Sequence, residues 1–416
     1  MKKRKLILLL FIAIGCTNRE NKAVPEELFD RNKFFVVNYE EILKQTSNVK
    51  LSDLTDSIEY VRLETSDSCL LHNNAEYFFT DKYIFIDNVR QILMFDRSGK
   101  FIRKIGKQGR GPGEIDLIRY LSVIDQEELL VVQTNTTRRL YYFSYNGDFV
   151  ESAVVPDVLN IKVLQDGRQV FFDFCAWGFE DYTFALRNNE GDTISVVRNH
   201  FKWENKSGYT TTVGYHLFVP FYEYGGIISI KSMYNDTVYN IRGDKILPEY
   251  LLNLGTYELP EEHRPEVSGS TYDDFRDNAT NKRFAVSFEA AEKLFISSQP
   301  YVNNDDDAIQ WNMIYDRRSG KGNLVVDLEG NPGMITNDID GGMDFWPVKS
   351  VNDSTLFMQM RPIDIVEEEN LEKFQAKVAI DPAKKMQFLK MIEGIAEDDN
   401  PVLMIIRINQ PRRRTL

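Results

Sequence analysis

The residues best placed by type and spacing to do chemistry fall in two groups. Asn337, Asp338, Asp340 and Asp344 cluster around Gly341-Gly342. Several oxygens on a sharply turning loop are what Ca2+ takes, so these four are the metal candidates. The loop lacks a full twelve-residue frame and a distal bidentate glutamate, and side chains capping their own turn amides are the competing reading. No other cofactor is expected. The second group is aromatic. Trp203 and Trp346, with Tyr222 and Tyr224, offer flat faces that match the apolar face of a sugar ring. Filling space between sheets is the competing role for each. Asp338 and Asp340 would also serve a polysaccharide hydrolase or lyase, provided they face one cleft at a separation of about 5–10 Å.

Other motifs point away from chemistry. The run Gly106–Gly113 resembles a phosphate cradle only in composition, because no Gly-Lys-Ser/Thr closes it and Pro112 removes an amide. It reads as a connector between repeats. His72, His200, His216 and His263 are scattered, without zinc-like spacing. No Gly-x-Ser-x-Gly elbow is present, so no catalytic residue is assigned and binding is favoured over catalysis. The formal charge of −13 argues against nucleic acid as a partner.

The N-terminus carries an address. Lys2 to Lys5 form a positive segment and Leu6 to Ile14 an apolar one too short to span a bilayer. The run ends in Ala13-Ile14-Gly15-Cys16, a lipobox-like sequence in which Cys16 is the lipidated residue, although a larger aliphatic residue is usual at Ala13. Residues 1–15 are therefore expected to be a signal peptide and 16–50 a lipidated tether. The expected location is the cell envelope of a Gram-negative bacterium, anchored to a membrane on its periplasmic side or at the cell surface. Removing the leader leaves 46 basic residues against 63 acidic ones, a net charge of −17. Cys69 and Cys175 remain, as one disulfide or as two buried thiols.

The rest of the chain must position these groups, and its pattern is repetitive. Short apolar runs recur, separated by glycine turns at Gly99, Gly147, Gly191, Gly243 and Gly320. The intervals are 48, 44, 52 and 77 residues. Periods of 40–50 residues with about four short strands each describe a β-propeller. Five turns and a closing unit give six blades. The closing unit joins the strand Ser57–Glu64 to C-terminal strands at Ser354–Met360 and Val402–Ile408. The expected fold is therefore all-β, a six-bladed β-propeller over 51–416, with a small helical insertion near the C-terminus at about 364–397. A polar segment around Glu261–Lys282 is expected as an inserted loop or an extra strand pair.

Phe95 to Ile102, followed by Gly106 to Glu114, resembles the six-bladed β-propeller lipoproteins common in Bacteroidetes and is similar to a degenerate NHL repeat. The likeness extends through Asn235-Asp236-Thr237-Val238-Tyr239, Asn337 to Gly342 and Asp398 to Leu403. It implies a membrane-anchored extracytoplasmic propeller that binds a glycan, a peptide or an envelope-protein partner at one end of its channel. The alternatives are a polysaccharide-acting hydrolase or lyase, and a structural subunit of an envelope complex.

Overall fold

The computed structural model describes residues 33–409 apart from 112, 136–138, 156–159, 173–180, 201, 203–220, 233–234, 261–262, 264–271 and 303–308. Six antiparallel sheets stand around a central channel. Blade 1 is formed by Glu76–Phe79, Tyr83–Asp87, Ile92–Asp96 and Phe101–Ile105, in that order from the axis outward. Blade 2 runs from Ile118–Ile124 to Phe149–Val154, and blade 3 from Asn160–Val163 to Thr193–Arg198. Blade 4 begins at Phe221–Tyr224, blade 5 at Arg283–Ala290 and blade 6 at Lys349–Ser350.

Middle strands such as Ile92–Asp96 and Leu129–Thr134 are almost wholly buried. Each is covered on both faces by neighbouring blades, which is why the sequence shows continuous apolar runs there instead of clean alternation. Each of the six blade interfaces holds its own apolar cluster. Phe85, Met94, Leu130 and Phe143 fill the gap between blades 1 and 2, while Phe357, Leu403, Ile84 and Phe95 fill that between blades 6 and 1.

The five glycines of the periodic turns all sit between the third and fourth strands of blades 1 to 5, each with positive φ. At Gly99 the demand is double. Its φ is +88°, and a Cβ there would lie 2.3 Å from the Arg62 carbonyl oxygen on the strand that closes the ring. The Gly106–Gly113 run connects blades 1 and 2, pinned by a bond from the Gly109 N–H to the Ile115 carbonyl and one from the Gly111 N–H to the Glu114 carboxylate.

Closure follows the expected scheme. Ile58–Arg62 pairs antiparallel with Val402–Arg407, which pairs with Thr355–Met360 and through it with Lys349–Ser350. Between Met360 and Val402 lie three helices, Pro362–Val366, Glu368–Ala376 and Pro382–Ile392. The last starts cleanly because Asp381 accepts bonds from the Ala383 and Lys384 amides and Pro382 occupies the first turn.

Two expectations need correction. The tether does not extend to residue 50. Phe35–Asn38 adds a parallel fifth strand to blade 4, Tyr39–Leu43 forms a short helix, and Thr46–Ser47 pairs in parallel with Lys321–Val325 of blade 5. Val37, Tyr39 and Ile42 are buried in the interface of blades 4 and 5, and the Tyr39 hydroxyl donates to Ser298 Oγ at 2.8 Å. The segment before blade 5, expected as an inserted loop or an extra strand pair, contains among its described residues the helix Tyr272–Ala279. The leader, Cys16, Cys175, Trp177, Trp203 and His216 lie outside the described residues.

Replacing Gly99 with Ala should destabilise the fold by about 3 kcal/mol or more, because backbone strain and a carbonyl clash add. The same change at Gly191, where φ is +92° but no atom lies within 4 Å, should cost about 1–2 kcal/mol. Chemical denaturation of the two variants measures the difference.

Candidate functional site in the central channel

The innermost strand of each blade turns one row of side chains toward the axis. Together they line two cavities of about 650 Å3 and about 270 Å3 that share Tyr77, Phe78, Lys162, Phe221, Tyr222 and Lys349. These shared residues form a waist between the two halves. Asp125, Gln165, Glu223, Asn352 and Asp353 surround the wider half, and Glu76, Tyr120, Ser287, Phe288 and Gln359 the narrower.

The waist is cationic and aromatic. Lys162 comes from the inner strand of blade 3, Lys349 from blade 6 and Phe78 from blade 1. The two ammonium nitrogens lie 5.7 Å and 4.6 Å from the centre of the Phe78 ring, within the range at which a ring face attracts a cation. Among the described residues neither amine has a carboxylate in ion-pair range. Two buried cations elsewhere are ion-paired: Arg317 with Glu249 and Glu289 at 2.7 and 2.5 Å, and Lys231 with Asp236 at 3.1 Å.

Protein surrounding the waist penalises these charges. Burial pushes the Lys162 amine down to about 8, and repulsion from Lys349 adds to the effect, while Glu76 and Glu223 oppose it. Burial also lowers the Lys349 amine, again opposed by Glu76. Glu76 faces Asp87 directly across the first strand pair of blade 1. Burial first, and the Glu76 charge second, raise the Asp87 carboxyl to about 7, against a bond from the Val89 N–H. Glu76 is thus felt by both lysines and by Asp87.

The residues singled out from sequence occupy other places. Trp346 is 6% exposed between blades 5 and 6, its N–H donating to Ser297 Oγ at 2.7 Å and its ring set edge-on to Phe295. Tyr222 borders the waist, but its hydroxyl is 3.1 Å from that of Tyr250, which in turn meets Ser287 Oγ at 2.9 Å. The Tyr224 hydroxyl accepts the Glu292 N–H. Tyr224 therefore ties blade 4 to blade 5 directly, and Tyr222 does so through Tyr250.

The acidic loop packs under the helical insertion, away from the channel. Asp338 accepts from the Ser52 amide and hydroxyl, at 3.0 and 2.7 Å. Asp340 accepts from Asn337 Nδ2, the Gly342 N–H and the Tyr60 hydroxyl at 2.7, 2.9 and 2.9 Å. Asp344 accepts from the Asn337 N–H at 2.8 Å and pairs with Lys377. The four residues connect the N-terminal belt, the closing strand and the insertion. Among the described residues no group of three or more His, Cys, Asp or Glu is arranged around a common point. Cys69 is a buried thiol donating to the Glu64 carbonyl.

Comparison with known proteins now places the chain. Residues 34–407, all but the ends, match the family described as a domain of unknown function, DUF4934. The chain belongs to the DUF4934 family. No curated protein matches it. A crystal structure of a candidate exported protein from Bacteroides fragilis superposes with a TM-score of 0.65 at 16% identity, covering 90% of this chain and 99% of that one. A DUF4221 family member from Bacteroides vulgatus gives 0.46 at 12% identity, covering 86% and 97%. The first likeness shows that this DUF4934 chain shares the neighbour's fold. Among the described residues of the DUF4934 propeller, no helix is long and apolar enough to cross a membrane.

Lys162 makes a pH-dependent claim about stability. Its amine is held near 8 in the fold and returns to 10.5 on unfolding. Below pH 8 both states carry the proton and the native state bears the full penalty; between pH 8 and 10.5 only the unfolded state stays charged, so stability rises with pH. Lys162→Met should therefore stabilise the protein by about 1–3 kcal/mol at pH 7, a gain that fades as pH approaches 10.5. Urea denaturation at pH 7 and pH 10 checks both sign and window.

Proposed function

We propose that this propeller is a lipid-anchored, extracytoplasmic binding protein that captures a glycan or peptide ligand in its central channel. The observation that carries the reading is the pair Lys162 and Lys349, held over Phe78 without a carboxylate partner among the described residues, at the waist of a channel large enough for a small ligand. A propeller has no need, for its own stability, of two half-buried amines on its axis without a carboxylate partner among the described residues, and such groups concentrate where ligands bind. The lipobox-like run ending at Cys16 supports the anchor, and the B. fragilis neighbour's description as an exported protein accords with it. A protein partner of the cell envelope, docking over one mouth, is compatible with the same channel.

A second reading rests on a specific observation. Glu76 and Glu223 both line the channel, one in each half, so they are the acids a hydrolase or lyase acting on polysaccharide would use. Product formation from a glycan panel, abolished by Glu76→Gln or Glu223→Gln, distinguishes catalysis from binding.

The test of binding uses arrays of bacterial and host glycans and of peptides. The wild-type protein should retain at least one class, and Phe78→Leu, which keeps the apolar volume and removes the ring, should weaken that binding by tenfold or more. Binding that is unchanged by Phe78→Leu would place the ligand elsewhere and overturn the proposal.

A further inference from the structure

We propose, resting on the channel reading above, that the waist is a carboxylate site: a singly charged anionic head is held by Lys162 and Lys349 beside the ring of Phe78. Asp125, Asp353 and Arg407 line the wider half; at the waist, among the described residues, the charged side chains that act on one another are Lys162 of blade 3, Lys349 of blade 6, Glu76 of blade 1 and Glu223 of blade 4. Their formal charges cancel, but their surroundings differ. The lysines are half-buried and common to both halves of the channel, whereas Glu76 and Glu223 are exposed and each borders one half.

That arrangement selects the ligand. A cation at the waist would meet two ammonium groups. A dianion such as phosphate would gain from both lysines but face Glu76 and Glu223 with its second charge. A single carboxylate satisfies the amines with charge-assisted bonds and leaves the rest of the ligand, a sugar ring or a peptide, to lie in the wider half. Phe78, Tyr77 and Phe221 supply apolar surface for it. The acid of a uronic sugar and the C-terminus of a peptide share this chemistry.

Binding should also take up a proton. The free Lys162 amine is held near 8 by its enclosure and by Lys349, and a bound carboxylate raises it again. Affinity is then full below pH 8 and falls as pH rises above it, once the amine is neutral in the free protein.

Isothermal titration of the full chain with benzoate and glucuronate, against their neutral amides benzamide and glucuronamide, tests the inference. The carboxylates should bind at pH 7 and their amides at least tenfold more weakly. Carboxylate affinity should drop about tenfold or more at pH 9.5, and titrations at pH 8.5 in buffers of different ionisation enthalpy should show net proton uptake. Lys162→Met and Lys349→Met should each lose tenfold or more, with Lys162→Arg recovering binding at pH 9.5. Amides that bind as well as acids, or acids that do not bind, overturn the carboxylate site. If in that case a neutral ligand from the arrays still depends on Phe78, the channel reading survives without it. If nothing depends on Phe78 either, both fall together.

Discussion

Everything in this molecule depends on closing the ring. Blade 6 is assembled from both ends of the chain, with Ile58–Arg62 laid antiparallel against Val402–Arg407. Lys349 belongs to that blade and Lys162 to blade 3 across the axis, so the waist exists only when the ring is shut. Side chains secure the join. Asn400 accepts the Leu71 N–H and donates to the Glu64 and Cys69 carbonyls, at 2.8, 2.7 and 2.9 Å. Arg62 pairs with Asp399 at 2.8 Å, and the Tyr60 hydroxyl reaches Asp340 beneath the helical insertion. The belt of Phe35–Ser47 then straps blades 4 and 5 from outside.

Two groups of enclosed charge in the same structure show how differently such groups are treated. Between blades 4 and 5, Arg317 is buried with Glu249 and Glu289, Arg242 joins Glu249, and the guanidinium of Arg317 lies 4.7 Å from the Phe35 ring of the belt. Opposite charges and an aromatic face compensate the loss of water, and breaking such a set by removing one member is expensive. The channel lysines have the aromatic face but, among the described residues, no carboxylate in ion-pair range. The first set locks blades and belt together; the second retains unsatisfied capacity that a ligand can meet.

Much of this fold could be read from sequence because propeller turns have strict backbone requirements. Gly99, Gly147, Gly191, Gly243 and Gly320 mark five blades through their positive φ, and the unpartnered strand at Ser57–Glu64 pointed to closure by both termini. The belt is hidden in the sequence because a lone parallel strand has no hairpin turn to announce it, so Phe35–Asn38 falls inside the expected tether of residues 16–50. The site was less legible. Asp338, Asp340 and Asp344 are close in sequence, yet spacing does not say whether carboxylates face a cleft or cap their own turn. Here Ser52, Tyr60, Asn337 and Lys377 occupy them. Trp346 likewise spends its N–H on Ser297. The waist residues stand 84 and 187 positions apart from one another along the chain, in the order Phe78, Lys162, Lys349, and only the ring brings them together. The one local signal was a lysine set among apolar residues in a short inner strand, as in Asn160-Ile161-Lys162-Val163 and Val348-Lys349-Ser350-Val351.

The channel site requires Lys162 to be a half-buried amine that no carboxylate of the protein neutralises and that a ligand can reach. The direct measurement is its own titration, followed by NMR on protein whose lysines carry 13C-methyl groups and assigned with the Lys162→Met variant. A midpoint near 8 is expected, moving upward when benzoate is added. A midpoint near the ordinary lysine value of about 10.4, unmoved by benzoate, would contradict it.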